Sequence, residues 1–286
     1  MKNVSASVLS RLKNYAKTNG AVYNEVLVRF AIERVLKRLE RTPHASKCIL
    51  KGGTLFFVWG GGFSFRPTMD VDLEFRGDGS PENLARIFRD VANVSCESED
   101  GLRIDADSIR AIPIREDDQY GGVRVTMTAR IGTVRIPVQI DIGVGDAITP
   151  MARKMMFPTI LDMEAPFIKM YPRETVVAEK FQTIVKRGIA NSRMKDYYDL
   201  WMLSADENVD SAKAKLAIAR TFERRKTAVP SAVPVGLSEA FAIDPDKSVQ
   251  WRAFVRKNRL DIGEKSLSDV VASIREFLMP LITVDR

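Results

Sequence analysis

Near Tyr171-Pro172 the hydrophobic pattern of this chain turns to helices almost to the end, and that change decides what it can fold into. Before it, runs such as Val123 to Ile131 and Val134 to Ile142 alternate apolar and polar residues, as strands with one buried face do. Beyond it, Glu174 to Lys186, Lys195 to Leu203, Ser211 to Arg225, Ser248 to Lys257 and Leu267 to Leu281 place apolar residues three and four apart. That is the spacing of amphipathic helices. The expectation is an α+β protein, with a mixed sheet and flanking helices over residues 1–170 and a helical domain over 171–286.

The first part opens with two helices between Ser7 and Glu40. Val8, Leu9, Leu12 and Tyr15 form one stripe; Val26, Leu27, Phe30, Ala31, Val35 and Leu39 form the other, with Asn24 a candidate N-cap. Lys47 to Leu50 reads as a short strand, Leu55 to Trp59 as a short helix, and Gly60 to Gly62 as a break. Val71 to Phe75 is a strand and Pro81 to Val94 a helix. Asp107 to Arg115, Val123 to Ile131 and Val134 to Ile142 then form an antiparallel meander, turned at Gly121-Gly122 and Gly132-Thr133.

Composition excludes several classes. No apolar run approaches the roughly 20 residues of a membrane span, and the N-terminus lacks an apolar signal core, so a cytoplasmic protein without a membrane partner is expected. Cys48 and Cys96 are the only cysteines and His44 the only histidine, which leaves neither a disulfide scaffold nor a thiolate or imidazole metal site. The net charge of +7 fits a polyanionic partner, and equally a basic protein with none.

Any metal must therefore be held by oxygen. Asp70 and Asp72 alternate across Val71, so on a strand both carboxylates face one side. Mg²⁺ binds through carboxylates and substrate phosphates, so the pair suits a triphosphate site; alone it also fits a solvated strand face. Upstream, Gly52-Gly53-Thr54 follows a strand and opens a helix, a place where backbone N–H groups can approach phosphate oxygens. Downstream, Asp141 lies between Ile140 and Ile142 on a strand. It is either a third carboxylate, serving a metal or taking a proton from an attacking hydroxyl, or one half of an ion pair with an arginine.

Strand, Gly-Gly-Thr, helix, the run Arg66-Pro67-Thr68-Met69-Asp70-Val71-Asp72-Leu73 and a later strand acid resemble the polymerase-β-like nucleotidyltransferase superfamily. More closely the chain resembles the AbiEii/AbiGii toxin family and its MenT relatives, although Thr54 stands where the superfamily has serine and the spacer to Asp70 is long. Glu179-Lys180-Phe181 and Arg193-Met194-Lys195-Asp196-Tyr197-Tyr198-Asp199-Leu200 resemble the family's later motifs. Thr221-Phe222-Glu223-Arg224-Arg225 and Gln250-Trp251-Arg252-Ala253-Phe254 resemble its C-terminal half.

The resemblance implies a polymerase-β-like sheet packed on a helical domain, with the active site between them. It also implies a metal-dependent nucleotidyltransferase that uses Mg²⁺ or Mn²⁺ and an NTP as substrate. Gly52, Gly53, Thr54, Arg66 and Lys180 would hold the triphosphate, Asp70, Asp72 and Asp141 the metal, and Asp196 would act in or beside the site. The acceptor it implies is the 3′ end of tRNA, blocking aminoacylation and growth, with a cognate antitoxin encoded nearby and a part in phage defence. Alternatives are a small-molecule or protein hydroxyl as acceptor, or an inactive fold that only binds RNA or a partner.

Taken without the resemblance, Lys180 is a lysine that reaches to solvent from an apolar helix, and Asp196 a helix-start acid that shares a face with Asp199. Lys186, Arg187, Arg193 and Lys195 form one basic group, and Arg220, Arg224, Arg225 and Lys226 another. Each is either a phosphate contact surface or an ordinary solvated helix face. Trp59, Trp201 and Trp251 sit in helical apolar patterns and read as core.

Overall fold

The computed structural model describes residues 4–60, 68–96, 100–114 and 122–283. Helices α1 (Val4–Thr18) and α2 (Tyr23–Glu40) lead into β1 (Cys48–Lys51), α3 (Leu55–Trp59), β2 (Val71–Phe75) and α4 (Pro81–Ala92). The strands β3 (Leu102–Ile114), β4 (Gly122–Ile131), β5 (Val134–Val144), β6 (Arg153–Met156) and β7 (Phe167–Met170) follow. Helices complete the chain: α5 (Arg173–Arg187), α6 (Met194–Ser204), α7 (Ser211–Arg224), α8 (Glu239–Ile243), α9 (Pro245–Asn258) and α10 (Leu267–Ile282).

The chain divides into two compact units, Met1–Gly145 with Arg153–Met170, and Asp146–Ala152 with Tyr171–Arg286. The first holds one seven-stranded mixed sheet in the order β3-β4-β5-β2-β1-β7-β6. The meander β3-β4-β5 is antiparallel, β2 runs parallel to β5, and β1 lies antiparallel to β2 and parallel to β7. Alternation orients these strands. Val123, Val125, Met127, Ala129 and Ile131 of β4, and Ile136, Val138, Ile140 and Ile142 of β5, are buried on one face, where α1, α2 and α4 contact the sheet. Pro113 is tolerated because β3 is an edge strand, and Pro137 because β5 extends there beyond its pairing with β2.

Helix α2 is buried nearly all round, including Glu33, Arg34, Lys37 and Arg38, which a one-stripe reading does not anticipate. Two of these buried cations find acidic partners. Arg38 donates to Asp100 at 2.8 and 3.1 Å and to the Leu102 carbonyl at 2.8 Å, and Lys37 pairs with Glu40 and Glu164. The α2 N-cap is Val22, with no side-chain bond, and Asn24 lies inside the first turn. Asn24 is thus corrected from cap to helix residue.

Glu33, fully buried, accepts the Ile160 N–H at 3.0 and 3.1 Å. Burial pushes its carboxyl up to about 8, against the lowering pull of Arg29, the Ile160 N–H and Arg34. An acid raised on folding contributes stability that is complete below its ordinary value and is lost as pH rises towards the folded one. Melting of the wild type should therefore fall between mildly acidic pH and about 8, and Glu33→Gln, which keeps an acceptor for Ile160, should flatten that slope. Glu33→Ala leaves the Ile160 donor unpaired and should cost about 1–3 kcal/mol by denaturant melts.

The second unit is helical. Val176, Val177, Phe181 and Ile184 of α5 pack with Tyr197, Leu200 and Leu203 of α6, Phe222 of α7, Phe241 of α8 and Ile274 and Leu278 of α10. The starts of α7, α8, α9 and α10 are capped by Asp210, Ser238, Asp244 and a Ser266/Asp269 capping box. Asp146–Ala152, which precedes the expected boundary near residue 170, packs here. Thr149 N–H donates to the Thr175 hydroxyl at 2.9 Å, that hydroxyl donates to the Thr149 carbonyl at 2.8 Å, and Arg225 pairs with Asp146. Strands β6 and β7 and helix α8 had no sequence expectation; at four or five residues each they are too short for a period to register. Among the described residues no helix is long and apolar enough to cross a membrane.

Candidate functional site

The apolar strand β1 ends on Lys51 and turns at Gly52, whose φ of +72° is open to glycine at little cost. A Cβ on Gly52 would stand 1.9 Å from Asp72 Oδ2, so the bare Cα also makes room for that carboxylate. Gly52–Thr54 forms a single 3₁₀ turn that runs directly into α3. Helix α3 has only five residues, so its dipole adds little, and the turn's own backbone is what a phosphate could meet. Thr54 is buried, and its hydroxyl has no hydrogen-bond partner among the described residues. Gly52→Ala should force both a left-handed alanine, costing about 1–2 kcal/mol, and a displacement of Asp72. Any chemistry that depends on this carboxylate should drop about 100-fold or more while thermal melts still show a folded protein.

Register, more than sequence proximity, assembles the remainder. Lys51 on β1 is opposite Asp72 on β2, Asp72 is opposite Asp141 on β5, and Asp141 is opposite Arg124 on β4. Opposed residues share a face, so four neighbouring strands present the row Lys51, Asp72, Asp141, Arg124. Arg124 clasps Asp141 through Nε and Nη2, both at 2.8 Å, and Gln139 lies beside the pair. Lys51 Nζ reaches Glu74 Oε2 at 3.1 Å, across Gly143, where a Cβ would stand 2.6 Å from the ammonium. Asp70 precedes β2 and is half-buried. The hydrogen bonds of Asp141, with the charges of Asp141, Asp70 and Asp72 behind them, hold the Arg124 guanidinium above its ordinary value against the opposing effect of burial.

These residues fit one hard divalent cation better than a ready-made cage. Asp70 and Asp72 offer oxygen, and Gly52 leaves the space that keeps the Asp72 carboxylate where it is. Among the described residues no group of three or more acidic, histidine or cysteine side chains is close enough to enclose a metal. Asp141 forms an ion pair with Arg124.

The second unit carries a cluster of its own. Lys180 on α5 meets Asp196 at 2.9 Å and Asp199 at 2.7 Å, both on the first turns of α6 and both buried, and Arg193 meets Asp196 at 2.6 Å. Burial by itself would raise the Asp196 carboxyl. Lys180 and Arg193 outweigh it and hold the group well below the usual carboxylate range. Lys180 is therefore clamped between two acids, not a lysine reaching freely to solvent. Arg225, grouped by sequence with Arg220, Arg224 and Lys226, is likewise engaged, by Asp146, Glu179 and Gln182. Arg220, Arg224 and Lys226 are exposed.

Arg66 lies outside the described residues. Gly52, Gly53 and Thr54 sit together with Asp72, and Lys180 with Asp196. Lys51, Glu74 and Arg124 were missed. The only sequence signal for Lys51 is a charge ending the apolar run Cys48-Ile49-Leu50, and Arg124 has none, because its partner is set by strand pairing.

A family model described as nucleotidyl transferase AbiEii toxin, Type IV TA system, matches residues 34–273. Among solved structures the chain is similar to two Helicobacter pylori proteins. One, proposed to be a nucleotidyltransferase, is 14% identical over 87% of this chain and 90% of its own, with a TM-score of 0.45. The other, JHP933, is 14% identical over 87% of each chain, with a TM-score of 0.46. No curated protein matches the chain in sequence.

Proposed function

Because the chain belongs to the AbiEii nucleotidyltransferase toxin family, we propose that it transfers a nucleoside monophosphate from an NTP to the 3′ end of tRNA, as its MenT-like motifs imply, and so stops aminoacylation and growth. The observation that carries the nucleotide-transfer half is the charged row Lys51, Asp72, Asp141, Arg124 set against the Gly52 turn. The net charge of +7 and the exposed Arg220, Arg224 and Lys226 support an RNA acceptor. The family implies an antitoxin as partner.

In this reading Asp70 and Asp72 hold Mg²⁺ or Mn²⁺, which when bound neutralises phosphate charge and polarises the transferring phosphorus. Gly52, Gly53 and Thr54 present the turn's N–H groups and the buried hydroxyl to the phosphates. Lys51, tied to Glu74, stands opposite Asp72 on the neighbouring strand. Asp196 and Asp199 fix where the Lys180 ammonium sits, the lysine that the family resemblance assigns to the phosphates. Positioning and charge neutralisation provide most of the rate.

The test incubates the protein with total tRNA, each labelled NTP in turn, and Mg²⁺ or EDTA. Label should enter tRNA with at least one NTP, lengthen its 3′ end, and vanish with EDTA. A folded protein that transfers no label to tRNA overturns the tRNA assignment. Label on a protein or small molecule instead keeps the transferase and changes the acceptor. Reversing the charges of Arg220, Arg224 and Lys226 should weaken only an RNA acceptor; Arg225 is left intact because its partners are internal.

A further inference from the structure

Asp141 occupies the row where a third metal ligand would be expected, yet both of its oxygens are engaged by one guanidinium. We propose that Arg124 is a triphosphate-binding residue and that Asp141 acts through it, as a positioning residue, without binding the metal. The proposal rests on the nucleotidyltransferase reading and adds a substrate contact to it.

Four observations converge. Arg124 uses Nε and Nη2 on Asp141, each at 2.8 Å, which fixes the plane of its fork. Gln139, two residues before Asp141 and on the same face of β5, lies against the pair, and with its amide turned oxygen-inward it accepts from the same two nitrogens at 3.2 Å. Nη1 makes no hydrogen bond among the described residues, and the Arg124 side chain is 38% exposed where Asp141 is 19%. Two N–H donors are therefore held outward in a known direction. Finally, Asp70 and Asp72 act electrostatically on the same guanidinium, so those donors lie in the field of the carboxylates proposed to hold the metal. A triphosphate brought there by a divalent cation carries oxygens beyond those the cation covers, and a fixed guanidinium is the side chain suited to take them.

A bare Arg–Asp ion pair on a strand face would bind nothing further, and the two cases separate in binding measurements that need no turnover. The probes are Mn²⁺ alone, read by its electron paramagnetic resonance signal, and inorganic tripolyphosphate with Mg²⁺, read by calorimetry. Asp72→Asn should weaken Mn²⁺ binding about tenfold or more. Asp141→Asn should leave Mn²⁺ binding within about twofold of wild type, yet weaken tripolyphosphate about tenfold by freeing the guanidinium. Arg124→Gln should weaken tripolyphosphate by about tenfold or more, and Arg124→Lys, which keeps charge without the fork, should restore part of it. In transfer assays Arg124→Gln should raise KM for the NTP more than Asp141→Asn lowers kcat.

Asp141→Asn weakening Mn²⁺ as much as Asp72→Asn makes Asp141 a ligand and overturns the proposal. So does an Arg124→Gln protein that binds tripolyphosphate as wild type does. In both cases a wild type that still binds the probe leaves the transferase reading standing. A folded wild type that binds no tripolyphosphate with Mg²⁺ removes both. If glutamine at 124 impairs folding in thermal melts, Arg124→Lys and Asp141→Asn decide the same question.

Discussion

Asp72→Asn should lose about three orders of magnitude in nucleotide transfer, the worth of roughly 4 kcal/mol of transition-state charge stabilisation, while remaining folded. Asparagine matches aspartate in shape, so it still fits against the Gly52 Cα, where a carboxylate oxygen stands in the space a Cβ would need. What it removes is negative charge beside Asp141, on a half-exposed strand position. Changes to such surface charges alter stability by about 1 kcal/mol at most. The two readouts should therefore separate: a thermal melt within a few degrees of wild type, and label transfer near background. Growth inhibition should vanish with transfer. A protein that acts only by binding RNA or a partner would keep its full effect in the same variant, and that result would end the enzymatic reading.

Lys180→Met should be the largest single loss of stability, about 3–5 kcal/mol, because it strands two buried carboxylates. Asp196 and Asp199 are 1% and 0% exposed, and Lys180 pairs with both. Arg193 remains for Asp196. The pH dependence carries the sharper signature. In the wild type the Asp196 carboxyl is depressed on folding, so its contribution is present above the ordinary aspartate value and is lost as pH falls below it. Without Lys180 only Arg193 opposes burial at Asp196, so the variant should lose less stability than the wild type as pH falls. The slope of stability against pH should flatten in the acidic range, as denaturant melts at a series of pH values would record. Asp196→Asn and Asp199→Asn added to Lys180→Met should recover much of the loss. A variant that melts as wild type does at every pH would mean that the cluster is hydrated rather than buried.

Most of the elements could be read in the sequence because their periods are long enough to repeat. Strands β4 and β5 alternate over ten and eleven residues, and the helices α5, α6, α7 and α10 match their apolar spacing to within a residue or two. Strand β3 begins at Leu102, earlier than the expected Asp107, because its register shifts between Asp105 and Arg110 and breaks the alternation. Helix α2 misled in the other direction: Glu33 and Arg38 look like an outer face, and only Ile160, Asp100 and Leu102 make it an inner one.

The same division holds for the site. Local rules suggested Asp70 and Asp72 as a pair and put glycine at the turn, since alternate strand residues share a face and glycine adopts a positive φ freely, although β2 begins only after Asp70. Tertiary structure decided what those residues touch. Lys51, Asp72, Asp141 and Arg124 come into one row only through the pairings β1-β2, β2-β5 and β5-β4. Pairing is chosen by how whole strands bury their apolar faces, a cooperative choice that no residue's neighbours in sequence encode. For the same reason Asp141 could be read as metal ligand or ion-pair partner from its own strand, and register put Arg124 opposite it.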